Sequence, residues 1–293
     1  MANEFFADFR KRISESIHPN RAKAVALNNP GASVFVWEND RKVPKLTMLT
    51  LHGHEHYEVI LYLRGDVKYY VEGAVYPVGA GDILLIKKGE MHTLLVEKDT
   101  PYERIVLQFD ADTLVGQSTE TLLRFLDDRP FGQHNRYSTA SPQQNHLFWL
   151  AQEICNRQNP ADKRVCLTAL LWQLYDAAPS LQDQASQQPD VLVNVIRYIN
   201  EHLTEDLNIP AICEKFYISK SQLNRKFKQT TGFTAWEYIL TKRLLFAKTL
   251  LQRGNPPALA CRQSGFGDYS SFYRLYKQHF GRSPRDTSSA AKR

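Results

Sequence analysis

The chain has 293 residues, 43% hydrophobic and 23% charged, which is typical of a globular protein long enough for two domains. No segment approaches the roughly 18 uninterrupted apolar residues of a membrane helix, and the start, MANEFFADFR, lacks the apolar core of a secretory signal, so we expect a cytoplasmic protein with no membrane partner. Residues 189–293 hold 17 Lys and Arg against 8 Asp and Glu, whereas residues 1–188 hold 20 against 23. A basic C-terminal part fits nucleic acid, although solubility explains a basic face equally well.

The first patterned region runs from Ser33 to about Asp110 and consists of short β-type runs. Glycines lie between the runs, at positions where turns need a positive φ. Seven or eight closely spaced strands are typical of a sandwich or a small barrel, so we assign residues 1–118 to one β-rich domain. The runs are SVFVW, KLTMLTL, YEVILYL, VKYYV, AVYPV, DILLI, HTLLV and ERIVLQF.

Between residues 119 and 178 the apolar residues recur at the spacing of a helix. We expect three helices there, the third at about Asp162–Ala177. Their apolar stripes favour pairing of two copies of the chain, but packing against the β-rich domain explains the same pattern equally well. The stripe residues are Leu122, Leu123, Leu126, Leu147, Leu150, Ile154, Leu167, Leu170, Leu171 and Leu174. Residues 179–190 have almost nothing to bury, so we predict a linker there and a last domain at 191–293.

A strong helix-start signal lies inside this last domain. Ser219 and Gln222 have the spacing of a capping box, which predicts a helix that begins directly after Ser219. The same pattern recurs 49 residues later, with Asp268 in the place of Ser219. Gly232 and Gly281 follow the two helices at equivalent places, as glycines that end helices do. The sequence therefore predicts an internal repeat of two helix-turn-helix units.

The segment between the repeats, Thr234–Arg253, has a continuous apolar stripe. Its twenty residues would span about 30 Å as a helix. This length is close to the roughly 34 Å between successive major-groove faces of B-DNA, so the two capped helices are predicted to enter adjacent turns of one duplex. The stripe residues are Trp236, Leu240, Leu244, Ala247 and Leu251.

These motifs resemble the signature of AraC/XylS-type transcription regulators over about 100 residues. The matching segments include Arg243-Leu244, SGFGDYSSF at 264–272 and FGRSP at 280–284. Pro256-Pro257 replaces the usual aliphatic lead-in to the second unit, but proline is tolerated in a first helical turn, so we expect both units to fold. The resemblance implies a double-stranded DNA operator and a homodimer, with RNA polymerase as a further partner if the protein is an activator.

The resemblance also places ten side chains of the two capped helices in successive grooves. Arg and Asn can make bidentate contacts to bases, whereas Lys and Ser more often hold phosphates. Solvation of the helix surface is the alternative role for each of them. The ten are Lys220, Ser221, Asn224, Arg225, Lys228, Tyr269, Ser270, Tyr273, Arg274 and Lys277.

The β-rich domain carries a histidine motif. His52, His54 and Glu58 have the spacing that places side chains on one face of an extended chain, and His92 from another strand could complete a set of three histidines and one carboxylate. The arrangement resembles the cupin barrel, which AraC-type regulators often carry in front of the DNA-binding module. The resemblance leaves two readings open: a divalent metal ion held by these four residues, or a metal-free pocket for an effector. We assign no certain cofactor. His56 is also separated from His52 and His54 by an even number of residues, but we expect it to be exposed to solvent.

The effector is expected to be a small polar molecule. The histidines, Glu58 and two tyrosines offer aromatic faces and hydrogen-bonding edges, and family analogy favours a carbohydrate. Packing in the barrel explains Tyr62 and Tyr70 equally well. The expected effector-binding residues are His52, His54, Glu58, Tyr62, Tyr70 and His92.

The predicted fold is α+β: a cupin-like β-barrel followed by helices, and then an all-α domain with two helix-turn-helix units joined by a linker helix. The predicted function is sequence-specific regulation of transcription in response to a small effector, without enzymatic activity. Two alternatives stay open. One is a metal-dependent cupin enzyme fused to a DNA-binding domain, and the other is an architectural DNA-binding protein without an effector.

Overall fold

The computed structural model describes residues 23–26, 33–38, 47–48, 51–65, 67–96, 103–116, 118–138, 142–177 and 191–290. The linker predicted at 179–190 lies outside these residues. The described chain divides into two compact units, the first within residues 1–49, 56–88 and 94–187 and the second within 50–55, 89–93 and 188–293. Two short segments of the region predicted as the β-rich domain therefore belong to the second unit. No helix in the described ranges is both long and apolar enough to cross a membrane.

Strands dominate the first half of the chain. They are β1 Lys23–Ala26, β2 Ser33–Glu38, β3 Thr47–Met48, β4 Tyr57–Arg64, β5 Val67–Val71, β6 Ala74–Val78, β7 Asp82–Ile86, β8 His92–Val96, β9 Glu103–Phe109 and β10 Arg136–Ser138. They form a six-stranded sheet in the order β1-β2-β9-β4-β7-β10 and a four-stranded sheet in the order β3-β8-β5-β6. The predicted β-rich domain is confirmed, and in the described residues it consists of two antiparallel sheets that do not close into one barrel, because the larger sheet ends on β1 and β10 and does not continue into the smaller one.

Three helices follow the sheets in the first unit: α1 Thr119–Asp127, α2 Pro142–Asn156 and α3 Pro160–Ala177. The region 119–178 was predicted to be helical throughout, but β10 lies within it and pairs antiparallel with β7. The positive φ of Gly132, +71°, reverses the chain after α1 so that it returns to the edge of the sheet.

Strand β4 is buried on both faces, which explains the unbroken apolar run Val59–Leu63 within it. Val59 and Leu61 lie in one core with the helices, whereas Ile60 and Tyr62 lie in another core with residues of the smaller sheet. The first unit is thus a three-layer structure of helices, six-stranded sheet and four-stranded sheet.

The apolar stripes of α1, α2 and α3 pack inside this unit. Leu147, Leu167 and Leu174 are at most 2% exposed and share a core with β4, β7 and β9. Of the two readings of these stripes, the structure therefore supports packing against the sheet. Other large apolar side chains of α2 and α3 are exposed: Trp149, Val165 and Trp172.

The helices of the second unit are α4 Val191–Glu201, α5 Ile209–Lys215, α6 Lys220–Thr231, α7 Ala235–Gln252, α8 Pro257–Gln263, α9 Tyr269–Phe280 and α10 Pro284–Ala290. The predicted helix between the repeats is confirmed as α7, which contacts α6 and α9. One face of α7, with Tyr238 and Ile239, packs in the core of the first helix-turn-helix unit. The other, with Leu244 and Ala247, packs in the core of the second. Trp236 was predicted in this stripe, but it is 42% exposed, because the buried face at the start of the helix is formed by Ala235, Tyr238 and Ile239 instead.

Candidate functional site

Helix α6 begins at the predicted capping box. The Oγ of Ser219 accepts a hydrogen bond from the backbone N–H of Gln222 at 3.2 Å, and Gln222 Oε1 accepts one from the backbone N–H of Ser219 at 3.1 Å. Gly232 ends the helix with a φ of 80°. Leu223 and Phe227 are fully buried, so the opposite face of α6 is available to a partner.

Helix α9 repeats this arrangement with a carboxylate as the cap. Asp268 accepts hydrogen bonds from the backbone N–H groups of Ser271 at 2.7 Å and Ser270 at 3.3 Å. The bond from Ser271 is the largest cause that lowers the pKa of Asp268, so the carboxylate stays charged at the positive end of the helix. Gly281, with a φ of 71°, ends α9 as Gly232 ends α6. The predicted repeat is therefore confirmed.

The start of the second unit also forms despite its two prolines. Pro256 occupies the cap position of α8 and Pro257 its first turn. Proline suits this position because the first N–H groups of a helix have no partner within the helix. Cys261 of α8 is 3% exposed and packs with Phe272 of α9, which closes the second helix-turn-helix core.

Most of the predicted DNA-contacting side chains are exposed on α6 and α9. Asn224 and Tyr273 are half-buried, and Asn224 differs from the rest because its Oδ1 accepts a hydrogen bond from the backbone N–H of Ala235 at 3.2 Å. This bond uses the oxygen that a bidentate contact to adenine would also need, so it competes with the base contact that we predicted from the residue type. The exposed residues are Lys220, Ser221, Arg225, Lys228, Tyr269, Ser270, Arg274 and Lys277.

One candidate was missed from the sequence. Tyr217 lies in the turn between α5 and α6, has a φ of 51° and is 98% exposed. Its position two residues before the cap of α6 places a large aromatic side chain beside the predicted groove-binding helix. The available signal was an aromatic residue at a turn position, where burial in a core is not expected.

The three predicted histidines lie together in the second unit. The backbones of His52 and His92 form an antiparallel bridge, with N–O distances of 3.1 and 2.8 Å. Ring centroids are 4.4 Å apart for His52 and His92, 5.0 Å for His54 and His92, and 6.0 Å for His52 and His54. Their nitrogen ligand atoms all lie within 4.8 Å of one another. Glu58 was predicted as a fourth ligand, but this group does not include it, and Glu58 belongs to β4 of the first unit.

The remaining effector candidates lie in the first unit. Glu58 and Tyr62 are almost fully buried on β4, and the ring of Tyr62 packs edge-on against Tyr69 at 6.3 Å. Tyr70 was predicted beside them, but β5 alternates buried and half-buried residues, so Tyr70 faces away from the core that holds Tyr69. Arg104, missed from the sequence, pairs in register with Tyr62 and donates from Nη1 to Tyr69 Oη at 3.2 Å.

His56 is half-exposed and makes a specific contact. Its Nδ1 lies 2.9 Å from Asp110 Oδ2, and Lys88 Nζ lies 3.1 Å from Asp110 Oδ1. Burial raises the pKa of Asp110, but the bond from His56 and the charge of Lys88 outweigh burial and leave it below its usual value. His56 is thus a partner of Asp110 and not a fourth member of the histidine cluster.

Two family models match the chain. A model described as AraC-like ligand binding domain matches residues 48–186, and a helix-turn-helix domain model matches residues 212–290. The first match covers most of the first unit, and the second covers α6 to α10.

Curated relatives span most of the chain. The HTH-type transcriptional activator RhaS of Citrobacter koseri is 25% identical over 245 residues, which cover 80% of this chain and 86% of the relative. RhaS of Salmonella schwarzengrund is 26% identical over 243 residues, with the same coverage. Among solved structures, an apo ToxT variant from Vibrio cholerae covers 89% of this chain and 98% of its own at 15% identity, with a TM-score of 0.40.

The two matched domains define a DNA-binding transcription regulator with a ligand-binding domain. The chain thus carries an AraC-like ligand binding domain and a helix-turn-helix domain, and it is homologous to the RhaS regulators.

Proposed function

We propose that this protein binds a specific DNA operator through α6 and α9 and that a small carbohydrate bound in its first unit controls this binding. One observation carries the DNA part: two helices with equivalent caps and equivalent buried faces present basic side chains on their exposed surfaces. Arg225 and Lys228 lie on α6, and Arg274 and Lys277 lie at the equivalent positions of α9.

The exposed residues divide by the contacts that their chemistry favours. Arg225 and Arg274 can each offer two parallel N–H groups to a guanine edge, so we assign them base contacts. Lys228 and Lys277 act as point charges toward phosphates, and Ser221 and Ser270 at the helix starts suit the same role. Tyr269 is partly exposed beside Ser270 and can pack on the sugar-phosphate backbone.

The operator can be found with the protein itself, by selection from a pool of random-sequence duplexes with the full chain. Arg225→Ala and Arg274→Ala are each expected to weaken binding of the selected duplex by about 1–3 kcal/mol and to relax specificity at one position. Arg197→Ala is the matched control, because Arg197 is an equally exposed arginine on α4. Equal losses from all three changes would contradict the assigned base contacts.

For the effector, the support is a group of polar side chains between the two sheets of the first unit, of which Glu58, Tyr62 and Tyr69 are buried and Arg104 is half-buried. Glu58 supplies a carboxylate, Tyr62 and Tyr69 supply aromatic faces with hydroxyl groups, and Arg104 supplies a charged donor. Aromatic faces combined with a few fixed hydrogen-bonding groups suit a polyhydroxylated ligand.

A thermal-shift screen of monosaccharides on the full chain tests this site, because a ligand of the native state raises the unfolding temperature by mass action. Tyr62→Phe is expected to reduce the shift, whereas Tyr70→Phe, on the other face of β5, is expected to leave it unchanged. Failure of every sugar, or equal effects of both changes, would remove the carbohydrate assignment.

We also propose that the protein acts as a homodimer through α2 and α3. Val165 and Trp172 are 56% and 37% exposed and lie seven residues apart on one face of α3, and Trp149 on α2 is 52% exposed. Exposed apolar residues of this size are typical of an interface. Val165→Glu is expected to shift the mass measured by light scattering from dimer to monomer, with an unchanged circular dichroism spectrum.

As a transcription regulator, the protein is expected to act in the cytoplasm, and to contact RNA polymerase if it activates transcription. The enzyme alternative is disfavoured because the relatives are named as transcriptional activators. Turnover of a bound sugar by the purified chain would restore it.

A further inference from the structure

The turn in the first of the two helix-turn-helix repeats carries an exposed aromatic side chain. Tyr217 lies two residues after the end of α5 and two residues before Ser219, the cap of α6. It is 98% exposed, whereas the neighbouring Phe216 and Ile218 are partly buried against the core of the repeat. The ring of Tyr217 therefore adds almost nothing to the packing of the fold.

The backbone of Tyr217 has a conformation that tyrosine rarely adopts. Its φ is +51°, in the left-handed region, where the Cβ of a bulky side chain is strained and glycine is favoured. Within residues 191–290, all of which the structure describes, every other residue with a positive φ is a glycine. A strained and exposed tyrosine indicates a contact outside the chain, because neither its conformation nor its burial stabilises the repeat.

The equivalent position of the second repeat holds a glycine. The N–H of Tyr217 donates to the carbonyl oxygen of Glu214 at 3.3 Å. The N–H of Gly265 donates in the same way to Arg262 at 3.1 Å, so the two residues occupy the same place in their turns. A Cβ at Gly265 would lie 2.9 Å from Arg243 Nε, which shows that the second turn packs inside its unit. The first turn instead presents an aromatic ring to solvent.

Each repeat nevertheless has one exposed tyrosine at the start of its predicted groove-binding helix. In the second repeat it is Tyr269, which directly follows the cap Asp268 and is 36% exposed. The residue that directly follows the cap of α6 is Lys220, so the aromatic side chain of the first repeat lies on the other side of the cap. Two residues span at most about 7 Å, which keeps Tyr217 next to the first turn of α6.

We propose that Tyr217 binds the sugar-phosphate backbone of the operator beside the groove that α6 enters, and that its hydroxyl group donates a hydrogen bond to a phosphate oxygen. Tyrosine hydroxyl groups and helix starts are among the groups that hold phosphates in protein–DNA complexes. Lys220 and Ser221 are exposed in the first turn of α6, so the surface beside Tyr217 suits a polyanion. This contact rests on the DNA binding proposed above and positions α6 without reading a base.

Two substitutions in the full chain separate DNA contact from stability. Tyr217→Phe removes only the hydroxyl group. Tyr217→Asn removes the ring and introduces a residue that tolerates the left-handed region. Neither variant is expected to lower the urea midpoint or to change the circular dichroism spectrum, because the replaced atoms are exposed. A loss of DNA affinity in these variants then reports a contact and not unfolding.

Binding to the selected operator duplex is measured by fluorescence anisotropy at several salt concentrations. Tyr217→Phe is expected to raise the dissociation constant about threefold to tenfold, the range of one hydrogen bond, and Tyr217→Asn at least as much. The loss should be the same for duplexes with changed bases, because the backbone carries no sequence information. The slope of log K against log salt should stay unchanged, because a neutral hydroxyl group releases no counterion.

Arg225→Ala is the comparison, since it is expected to relax specificity at one position. Unchanged affinity in both Tyr217 variants overturns the contact, and so does altered preference at a single base pair. Intact DNA binding with lost transcription in vitro also overturns it and assigns Tyr217 to a protein partner. Failure to select any operator contradicts the proposed function instead. The Tyr217 variants are then compared on a random-sequence duplex at low salt, because a backbone contact needs no specific site; unchanged affinity there overturns the contact.

Discussion

Gly265 lies directly against the guanidinium group of Arg243. A Cβ at position 265 would be 2.9 Å from both Arg243 Nε and the carbonyl oxygen of Leu203. Arg243 donates from Nε to Leu203 O at 2.9 Å and from Nη2 to Glu205 O at 2.7 Å. The turn after α8, helix α7 and the end of α4 therefore meet at a point where only glycine fits.

Gly265→Ala is expected to lower the free energy of unfolding by about 1–3 kcal/mol, because the φ of +85° is strained for any residue with a Cβ and the contact is with a backbone oxygen. Urea denaturation measures this change. Gly267→Ala is the matched control, since no atom lies within 4 Å of a Cβ there. Equal losses from both variants would contradict the explanation.

Asn224 links the predicted groove-binding helix to the helix that follows it, through its bond to Ala235 N. Asn224→Ala is expected to lower the unfolding temperature and to weaken binding to all operator variants by a similar factor. Asn224→Asp keeps the acceptor and should preserve stability, although its charge still weakens DNA binding. Relaxed preference at a single base pair in Asn224→Ala would instead show that Asn224 reads a base.

Lys228 and Arg225 are expected to differ in their response to salt. A phosphate contact releases a counterion, so Lys228→Ala should reduce the slope of log K against log salt by about 1 and affect all sequences alike. Binding titrations at several salt concentrations measure this slope. If Lys228→Ala changes base preference without changing the slope, the phosphate contact is wrong.

We expect Tyr276 to make the free energy of unfolding depend on pH in the alkaline range. Burial raises its pKa from 10 to about 12, and its hydroxyl group lies 3.1 Å from Thr287 Oγ1. As pH rises above the unfolded value, the unfolded chain loses this proton before the folded one, so the free energy of unfolding falls. The Tyr276→Phe variant lacks this contribution to the pH dependence.

Urea midpoints at about pH 8 and about pH 11 test the role of Tyr276. The wild-type midpoint is expected to fall by more than that of Tyr276→Phe, because the other tyrosines are common to both chains. At the lower pH the variant should be less stable by about 1 kcal/mol, for the lost hydrogen bond. Equal falls in both chains would assign the alkaline loss to other groups.

Local features of the fold were predictable from the sequence. The capping box of α6, the Asp268 cap of α9, the glycines that end these two helices and the strand β4 all depend on residues that are close together in the sequence. Sheet closure was not predictable in this way, because periodicity tells which face of a strand is buried but not which strands are neighbours. The return of the chain at β10 was missed for the same reason.

The candidate site shows the same limit. Spacing placed His52 and His54 on one face, and the cupin resemblance added His92, which the structure confirms as a neighbour. The bond from Ala235 to Asn224 and the packing of Met91 in the core with Leu245 join residues far apart in the chain. No local pattern encodes such contacts, so the sequence could not predict that the histidine segments belong to the DNA-binding unit.

Helix α7 belongs to two cores, and this has a thermodynamic consequence. Tyr238 and Ile239 complete the core of one repeat, while Leu244 and Ala247 complete that of the other. If either repeat melts, α7 exposes apolar surface that the surviving repeat cannot cover. The two repeats are therefore expected to unfold in a single cooperative transition. A substitution that destabilises one repeat is expected to destabilise the other as well.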